Sequence, residues 1–198
     1  GAYSPWPRMT PEKREEIVNL TIRPIIQGLA REGTPYRGVI YAGLMMTKDG
    51  PFVLEYNCRF GDPEAQAVIP RLKSDLLPVL YEIAGGRLET GDLEWHDRAC
   101  MTVVVASGGY PGHYEKGYEV RGLDALKGRE DVAVFHAGTK LGEHGRVLTS
   151  GGRVLAVSAT GENLRSAFEN VYDSVGKVSF EHSFYRRDIG RRVLEVLR

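Results

Sequence analysis

The sequence has little cysteine: Cys58 and Cys100 are the only two in 198 residues. They form no Cys-x-x-Cys pair, and neither stands near a histidine at zinc-ligand spacing. A disulfide scaffold and a structural zinc site are thereby excluded, and a reducing, cytoplasmic setting is the expectation. Net charge is also missing. The 26 Lys+Arg balance 26 Asp+Glu, so there is no basic excess of the kind a nucleic-acid or acidic-membrane binder carries. No run approaches the roughly 18 apolar residues needed to cross a bilayer, and the first residues show no basic-then-apolar leader pattern. Repeats and low-complexity tracts are absent. Glycine is abundant instead, at 24 residues against a usual share of ~7%, which points to tight turns and close backbone approaches. Hydrophobic residues make up 42% and charged residues 26%. That is an ordinary globular composition, and the length buries a core as one large domain or two small ones.

Local patterns divide the chain. Thr10, Pro11 and Glu12 form a helix start, with Thr10 as N-cap and Pro11 at the first helical position. Apolar residues at three- and four-residue steps from Ile17 to Leu29 predict a helix over 11–32, kinked by Pro24 and stopped by Gly33. Residues 37–46 are mostly apolar and read as a strand buried on both faces. Lys48-Asp49-Gly50 is a hairpin turn, and 52–57 the returning strand. Two helices are predicted over 63–72 and 74–84, the second capped by Ser74 with Asp75. A boundary falls at Gly85 to Asp92. Beyond it come short β runs at 99–106, 132–137, 147–148 and 154–159, a helix over 162–175 and a closing helix over 189–197. The layout is α+β in two parts: an α/β part over 1–92, and a β-rich part over 93–198.

Glu55 and Asn57 lie two apart on the predicted strand. Strand side chains alternate, so both oxygens face one side, roughly 6.5–7 Å apart along the strand. A hard divalent cation such as Mg²⁺ takes one or two such oxygens and completes its shell from phosphate and water. A carboxylate among Val53, Leu54 and Tyr56 needs a cation or a hydrogen-bond partner. If the strand persists, Arg59 shares the same face and sets a cationic fork beside the metal. The block from Asn57 to Glu64 gathers Arg59, Asp62 and Glu64 around a glycine and a proline between strand and helix, where α/β folds bind ligands. The plainer alternatives stay open: Asp62 as a helix cap and Glu64 as a partner of the helix dipole.

Several stretches together resemble one family. They are Gly1-Ala-Tyr-Ser-Pro5, Tyr41-Ala-Gly-Leu-Met45, Leu54-Glu-Tyr-Asn-Cys-Arg-Phe-Gly-Asp-Pro-Glu64 and Leu72-Lys-Ser-Asp-Leu76. Downstream come Gly108-Gly-Tyr-Pro-Gly112, Phe135-His-Ala-Gly-Thr-Lys140, Gly151-Gly-Arg-Val-Leu155 and Arg187-Asp-Ile-Gly190. In order, they resemble the glycinamide ribonucleotide synthetases (phosphoribosylamine–glycine ligases), over essentially the whole chain. The eleven-residue block from Leu54 is the specific part. The resemblance implies the C-terminal half of an ATP-grasp core followed by a small, β-barrel-like C-terminal domain. It implies ligation of glycine to 5-phosphoribosylamine at the expense of ATP, through a glycyl phosphate. Glu55 and Asn57 would be Mg²⁺ or Mn²⁺ ligands on the ATP phosphates. Arg59 would stabilise the transferring phosphoryl group, and Asp62 would act beside it. Asp62 and the loop of Gly1, Ala2, Tyr3, Ser4 and Pro5 would lie at the substrate site. The family's N-terminal domain and ATP lid lie ahead of Gly1, so the resemblance also implies a C-terminal part that is not a competent ligase alone. Its partners would be its substrates and the missing N-terminal part, with no nucleic acid and no membrane.

Two rivals stand beside this reading. Another ATP-grasp carboxylate–amine ligase shares Glu-x-Asn but not the continuation Phe60 to Glu64. A non-catalytic interaction module suits the β-rich half but lacks an obvious exposed aromatic patch. His136, beside Gly138 and Thr139, reads as a turn residue rather than an acid or base. The glycines of 108–112 read as a tight turn.

Overall fold

The computed structural model describes residues 1–196. In chain order the elements are β1 (Ala2–Ser4), α1 (Pro11–Ile17), α2 (Arg23–Arg31), β2 (Tyr41–Thr47), β3 (Gly50–Asn57), α3 (Ala65–Val68) and α4 (Leu76–Ala84). There follow β4 (Ala99–Ser107), β5 (Val132–His136), β6 (Thr139–Leu141), β7 (Val147–Thr149), β8 (Arg153–Gly161), α5 (Leu164–Val175), β9 (Ser183–Phe184) and α6 (Arg191–Val196). The architecture is mixed α and β. Two compact units emerge, and the chain passes between them more than once. One, the sheet unit, comprises Gly1–Pro5, Pro63–Arg71 and the chain from His96 onward; the other, the hairpin unit, comprises Trp6–Asp62 and Leu72–Trp95.

The sheet unit is built on β4 and β8. Their Val-, Ala- and Leu-rich sequences suit a pleated surface covered on both sides, and all of β4 except Val104 is buried. The main sheet runs β1-β4-β8-β5, with β9 pairing the end of β4 and every pairing antiparallel. Met101, Val103, Val105, Leu155 and Val157 point to one face and are fully buried. Leu164, Ala167, Val171 and Val175 of α5 join the same cluster. Truncating Leu155 to alanine there costs about 2–5 kcal/mol. Asn163 and Ser166 form a reciprocal capping box at the start of α5, which satisfies N–H groups the helix leaves unpaired. On the opposite sheet face the hydroxyls of Thr102 and Ser158 meet at 2.7 Å, so neither is buried unsatisfied.

In the hairpin unit, Thr10 caps α1 by accepting from the Lys13 N–H, with Pro11 in the first turn. The predicted 11–32 helix is interrupted by a π-helical turn at Val18–Ile22. Pro24 has no N–H to offer the Leu20 carbonyl, so the regular ladder fails there. The Thr21 hydroxyl donates to the Ile17 carbonyl, and the Thr21 carbonyl accepts from the Tyr56 hydroxyl at 2.6 Å. The irregular turn is thereby tied to β3. Strands β2 and β3 form a two-stranded antiparallel hairpin whose turn is Lys48–Asp49, with Gly50 at φ +113°. Asp75 alone caps α4, its carboxylate accepting from the Leu77 N–H. The Glu82 carboxylate accepts from the N–H groups of Glu89 and Thr90 and from the Thr90 hydroxyl. Those bonds hold its pKa below the ordinary value.

Several expectations need correction. Residues 41–46 are not buried on both faces: Met45 on β2 is exposed, as are Phe52 and Leu54 (66%) on β3. An apolar run carries no information about whether a neighbour covers it. The 63–72 helix shrinks to α3 and one 3-10 turn at Ile69–Arg71. The segment Gly1–Pro5 contains an edge strand rather than a free loop. The closing helix begins at Arg191, and Leu197 lies outside the described residues.

Candidate functional site

Glu55 and Asn57 sit near the end of β3, in the hairpin unit. The one register shift in the hairpin falls between Gly43 and Leu44, on the turn side of Glu55, so alternation between 55 and 57 is intact. Both side chains lie on one face, and the Asn57 Nδ2 donates to the Glu55 Oε1 at 3.1 Å. That bond uses the amide N–H and one carboxylate oxygen. It leaves Asn57 Oδ1 and Glu55 Oε2 as hard oxygen donors side by side. The cross-strand partner of Glu55 is Gly43. A Cβ there would stand 3.2 Å from the Glu55 Cγ, so glycine gives the carboxylate room to lie over β2.

Two oxygens of this chemistry fit a Mg²⁺-type ion that takes its other ligands from phosphate and water. Among the described residues no group of three or more His, Cys, Asp or Glu side chains is placed to hold a metal. The pair would therefore bind an ion together with a ligand that brings its own oxygens.

Arg59 departs from the expected geometry. The strand ends at Asn57, and the Arg59 Nη1 donates to the carbonyl of Phe60 at 2.7 Å. Alternation therefore does not carry it to the Glu55 face. Asp62 occupies a turn ahead of α3, whose N-cap position belongs to Glu64, without a side-chain capping bond. The N-cap of α3 is thus Glu64 rather than Asp62.

The substrate-site candidates Gly1, Ala2, Tyr3, Ser4 and Pro5 belong to the sheet unit. Ala2 to Ser4 pair with Thr102 to Cys100 on β4. The Ser4 hydroxyl accepts from the Arg71 Nη1 at 2.7 Å, and the Arg71 Nε donates to the Arg98 carbonyl. Tyr3 packs against the core. A Cβ on Gly1 would come 2.4 Å from the Thr102 carbonyl oxygen. Gly1 lines a cavity of about 200 Å³ with Pro63, Tyr110, Arg153, Tyr185 and Ile189. Tyr110 and Arg153 carry no role in the sequence reading, although both lie in glycine-flanked motifs noted there. The glycines place them: a Cβ on Gly152 would be 2.2 Å from the Tyr110 ring, so the ring lies against the backbone beside Arg153.

Other reactive side chains are occupied structurally. His136 Nδ1 meets Thr139 Oγ1 at 3.0 Å within its turn. Burial pushes the Cys100 thiol up to about 11, against the opposing pull of Arg71 and Arg98. It is a neutral packing group at physiological pH, not a nucleophile. Among the described residues no helix is long and apolar enough to cross a membrane.

Known proteins resemble this chain in fold and in sequence. The chain superposes on the biotin carboxylase subunit of pyruvate carboxylase with a TM-score of 0.63 at 15% identity, over 92% of this chain and 39% of that one. The likeness is one of fold. Residues 1–65 match the model of the phosphoribosylglycinamide synthetase ATP-grasp (A) domain, and residues 100–192 that of the phosphoribosylglycinamide synthetase C domain. The chain belongs to the phosphoribosylglycinamide synthetase family. A phosphoribosylamine–glycine ligase of Agrobacterium fabrum is 49% identical over 190 residues, covering 96% of this chain and 44% of that protein. The trifunctional purine biosynthetic protein adenosine-3 of Gallus gallus is 47% identical over all 198 residues, a fifth (20%) of its length. The phosphoribosylamine–glycine ligase of Thermotoga maritima superposes with a TM-score of 0.77 at 34% identity, over 94% of this chain and 45% of that one. The chain thus spans under half the length of these ligases.

Proposed function

We propose that this chain supplies the metal- and phosphate-facing part of a phosphoribosylamine–glycine ligase. In that reaction the γ-phosphoryl of ATP passes to the glycine carboxylate, giving glycyl phosphate and ADP. The amine of 5-phosphoribosylamine then attacks the acyl carbon, phosphate leaves, and glycinamide ribonucleotide forms. The observation that carries the reading is the Glu55–Asn57 pair, two oxygen donors on one strand face within a segment matching the family's ATP-grasp domain. Glu55 and Asn57 would hold Mg²⁺ or Mn²⁺, which supplies charge neutralisation for the phosphates. Arg59 would release the Phe60 carbonyl and turn its guanidinium to the transferring phosphoryl or the acyl phosphate. Asp62 and the segment Gly1, Ala2, Tyr3, Ser4 and Pro5 would meet glycine and phosphoribosylamine. Residues 1–92 form the C-terminal half of the ATP-grasp core in this proposal, and 93–198 the β-rich C-terminal domain. The remainder of the ligase supplies the other nucleotide contacts, so the chain alone is inactive. Two free thiols, one of them exposed, suit a cytoplasmic setting.

A chimera tests the proposal. The chain replaces the matching segment of the Thermotoga maritima ligase, and ADP release is measured with each substrate omitted in turn. We expect turnover that requires both glycine and phosphoribosylamine, and a loss of at least a hundredfold with Glu55→Gln. A folded chimera whose ADP release is indifferent to glycine, or a Glu55→Gln form with ordinary turnover, overturns it.

A further inference from the structure

The main sheet of the sheet unit ends on an open edge. Among the described residues, strand β5 pairs with β8 on one side only. The phase of that ladder is set at its ends, where the Thr160 N–H donates to the Asp131 carbonyl and the Ala137 N–H to the Val154 carbonyl. Bonding alternates along an antiparallel pair. The odd residues of β5 therefore bond to β8, and Val132, Val134 and His136 turn their backbone groups to the free edge. Of these, the Val132 N–H is taken up by the Arg129 carbonyl.

This edge is not flat and bare. Beyond His136 the chain bends through Ala137 and Gly138 and continues as β6, in a separate ladder with β7. A cavity of about 700 Å³ is lined by Val132, Val134 and His136 of β5, by residues between 119 and 127, and by residues 144 to 147. Val132 and Val134 pack against the core and also line this cavity, together with the core residues Val120 and Leu126. The core is thus left open along this seam. The lining is cationic in balance, with Arg121, Lys127 and Arg146 against Glu119 and Asp124. Arg121 pairs with Glu119 and Lys127 with Asp124. Arg146 makes no ion pair among the described residues; its Nε donates to the Glu143 carbonyl.

We propose that the β5 seam is a docking groove for an extended acidic peptide segment, which adds to the sheet as a strand. Three features specify that occupant. Backbone donors and acceptors at every second residue of β5 call for an extended chain rather than a helix or a compact ligand. An apolar floor under Val132 and Val134 calls for apolar side chains at alternate positions of that chain. Arg146, which lines the cavity with His136 and His144 and makes no ion pair among the described residues, calls for a carboxylate on the segment, placed at its His136 end. The inference is independent of the ligase reading, since none of these residues belongs to the Glu55 site.

The test uses the full 198-residue chain, ¹⁵N-labelled, and the acetylated, amidated peptide Glu-Thr-Val-Thr-Val. In antiparallel register this places Glu opposite His136 and the two Val opposite Val134 and Val132. We expect titration to shift the Val134 and His136 amides and to slow their hydrogen exchange. Replacing the central Val of the peptide by Pro removes the N–H aimed at the Val134 carbonyl, and should weaken binding tenfold or more. Arg146→Glu should weaken it at least fivefold while the spectrum stays dispersed. Three results overturn the proposal: unshifted β5-edge amides at millimolar peptide, equal binding of the proline peptide, or protection of the same amides by self-association without peptide.

Discussion

Gly43→Ala separates the position of the Glu55 carboxylate from the stability of the hairpin that carries it. The new Cβ would stand 3.2 Å from the Glu55 Cγ and 3.7 Å from the Glu55 carbonyl oxygen. The backbone distance is ordinary contact, so only the side chain must move, by a few tenths of an ångström. Glu55 is exposed and can yield. An off-rotamer torsion of that size costs about 0.5–1.5 kcal/mol. Replacing glycine by alanine inside a strand returns about 0.5–1 kcal/mol of backbone entropy. The two nearly cancel, and at about 2–4 °C per kcal/mol for a chain of this size the melting temperature should stay within about 4 °C. The metal site has no such compensation. The Asn57–Glu55 hydrogen bond sets how the two oxygens converge, and disturbing such an orienting contact typically costs about 10–100-fold in metal affinity. Titration of the chimera with Mn²⁺ in the presence of ATP, read by water-proton relaxation, measures this directly. Gly28→Ala, where an added Cβ meets nothing within 4 Å, is the control that should leave Mn²⁺ binding unchanged. Mn²⁺ affinity within twofold of the parent in Gly43→Ala, alongside a clear loss in Glu55→Gln, would show that carboxylate position does not matter. The geometric argument for Gly43 would then be wrong.

Four further outcomes follow from other parts of the fold. Burial raises the Cys100 thiol from 9.0 to about 11, so above pH 9 the unfolded state loses a proton that the folded state keeps. Stability should fall between roughly pH 9 and 11 by about 2–3 kcal/mol, and a Cys100→Ser chain whose urea midpoint falls equally over that window refutes the assignment. In the native state at pH 8, iodoacetamide should modify Cys58 and spare Cys100, checked by peptide mass. Gly122→Ala and Gly128→Ala both force alanine to positive φ, at 84° and 78°. The first also drives a Cβ to 1.8 Å from the Lys177 carbonyl oxygen, and the second meets nothing. Gly128→Ala should cost about 1–2 kcal/mol and Gly122→Ala at least twice that, by chemical denaturation; equal costs would remove the close-approach argument. The Arg129 guanidinium holds the Asp131 carboxyl below its ordinary value, and Lys177, helped by Arg129, does the same for Asp173. Their contribution is present above that ordinary value and lost as pH falls through the lowered one. Arg129→Met should therefore cost about 1 kcal/mol at most near pH 7, given partial exposure, and progressively less under acid conditions; a cost that grows in acid contradicts the assignment.

The legible parts of this protein are those whose information is local. Strands β4, β5, β7 and β8 and helix α5 lie within a few residues of where apolar runs and turn residues place them, because each pattern is the face that the element buries. Glu55 and Asn57 share a face because alternation on a strand is a two-residue rule, and no bulge intervenes between them. Arg59 fails for the same reason turned round. Alternation ends with the strand, and nothing in the order Cys58-Arg59-Phe60 marks β3 as stopping at Asn57. The segment Ala2–Ser4 has no strand signature of its own; it is extended because Thr102 to Cys100 offer it a ladder some hundred residues away in sequence. The same non-locality hides the β5 seam. The apolar and polar order of residues 132–136 is that of any buried strand, and only the bend at Ala137–Gly138 leaves one edge open. Gly138 is where it is because of a close approach: a Cβ there would lie 2.7 Å from the Gly151 Cα and from the Arg153 carbonyl oxygen. A larger residue would push the 138 and 151 backbones apart and alter how β6 leaves the sheet. The glycine motif that helped mark the family is, in the fold, the hinge from which the open edge follows.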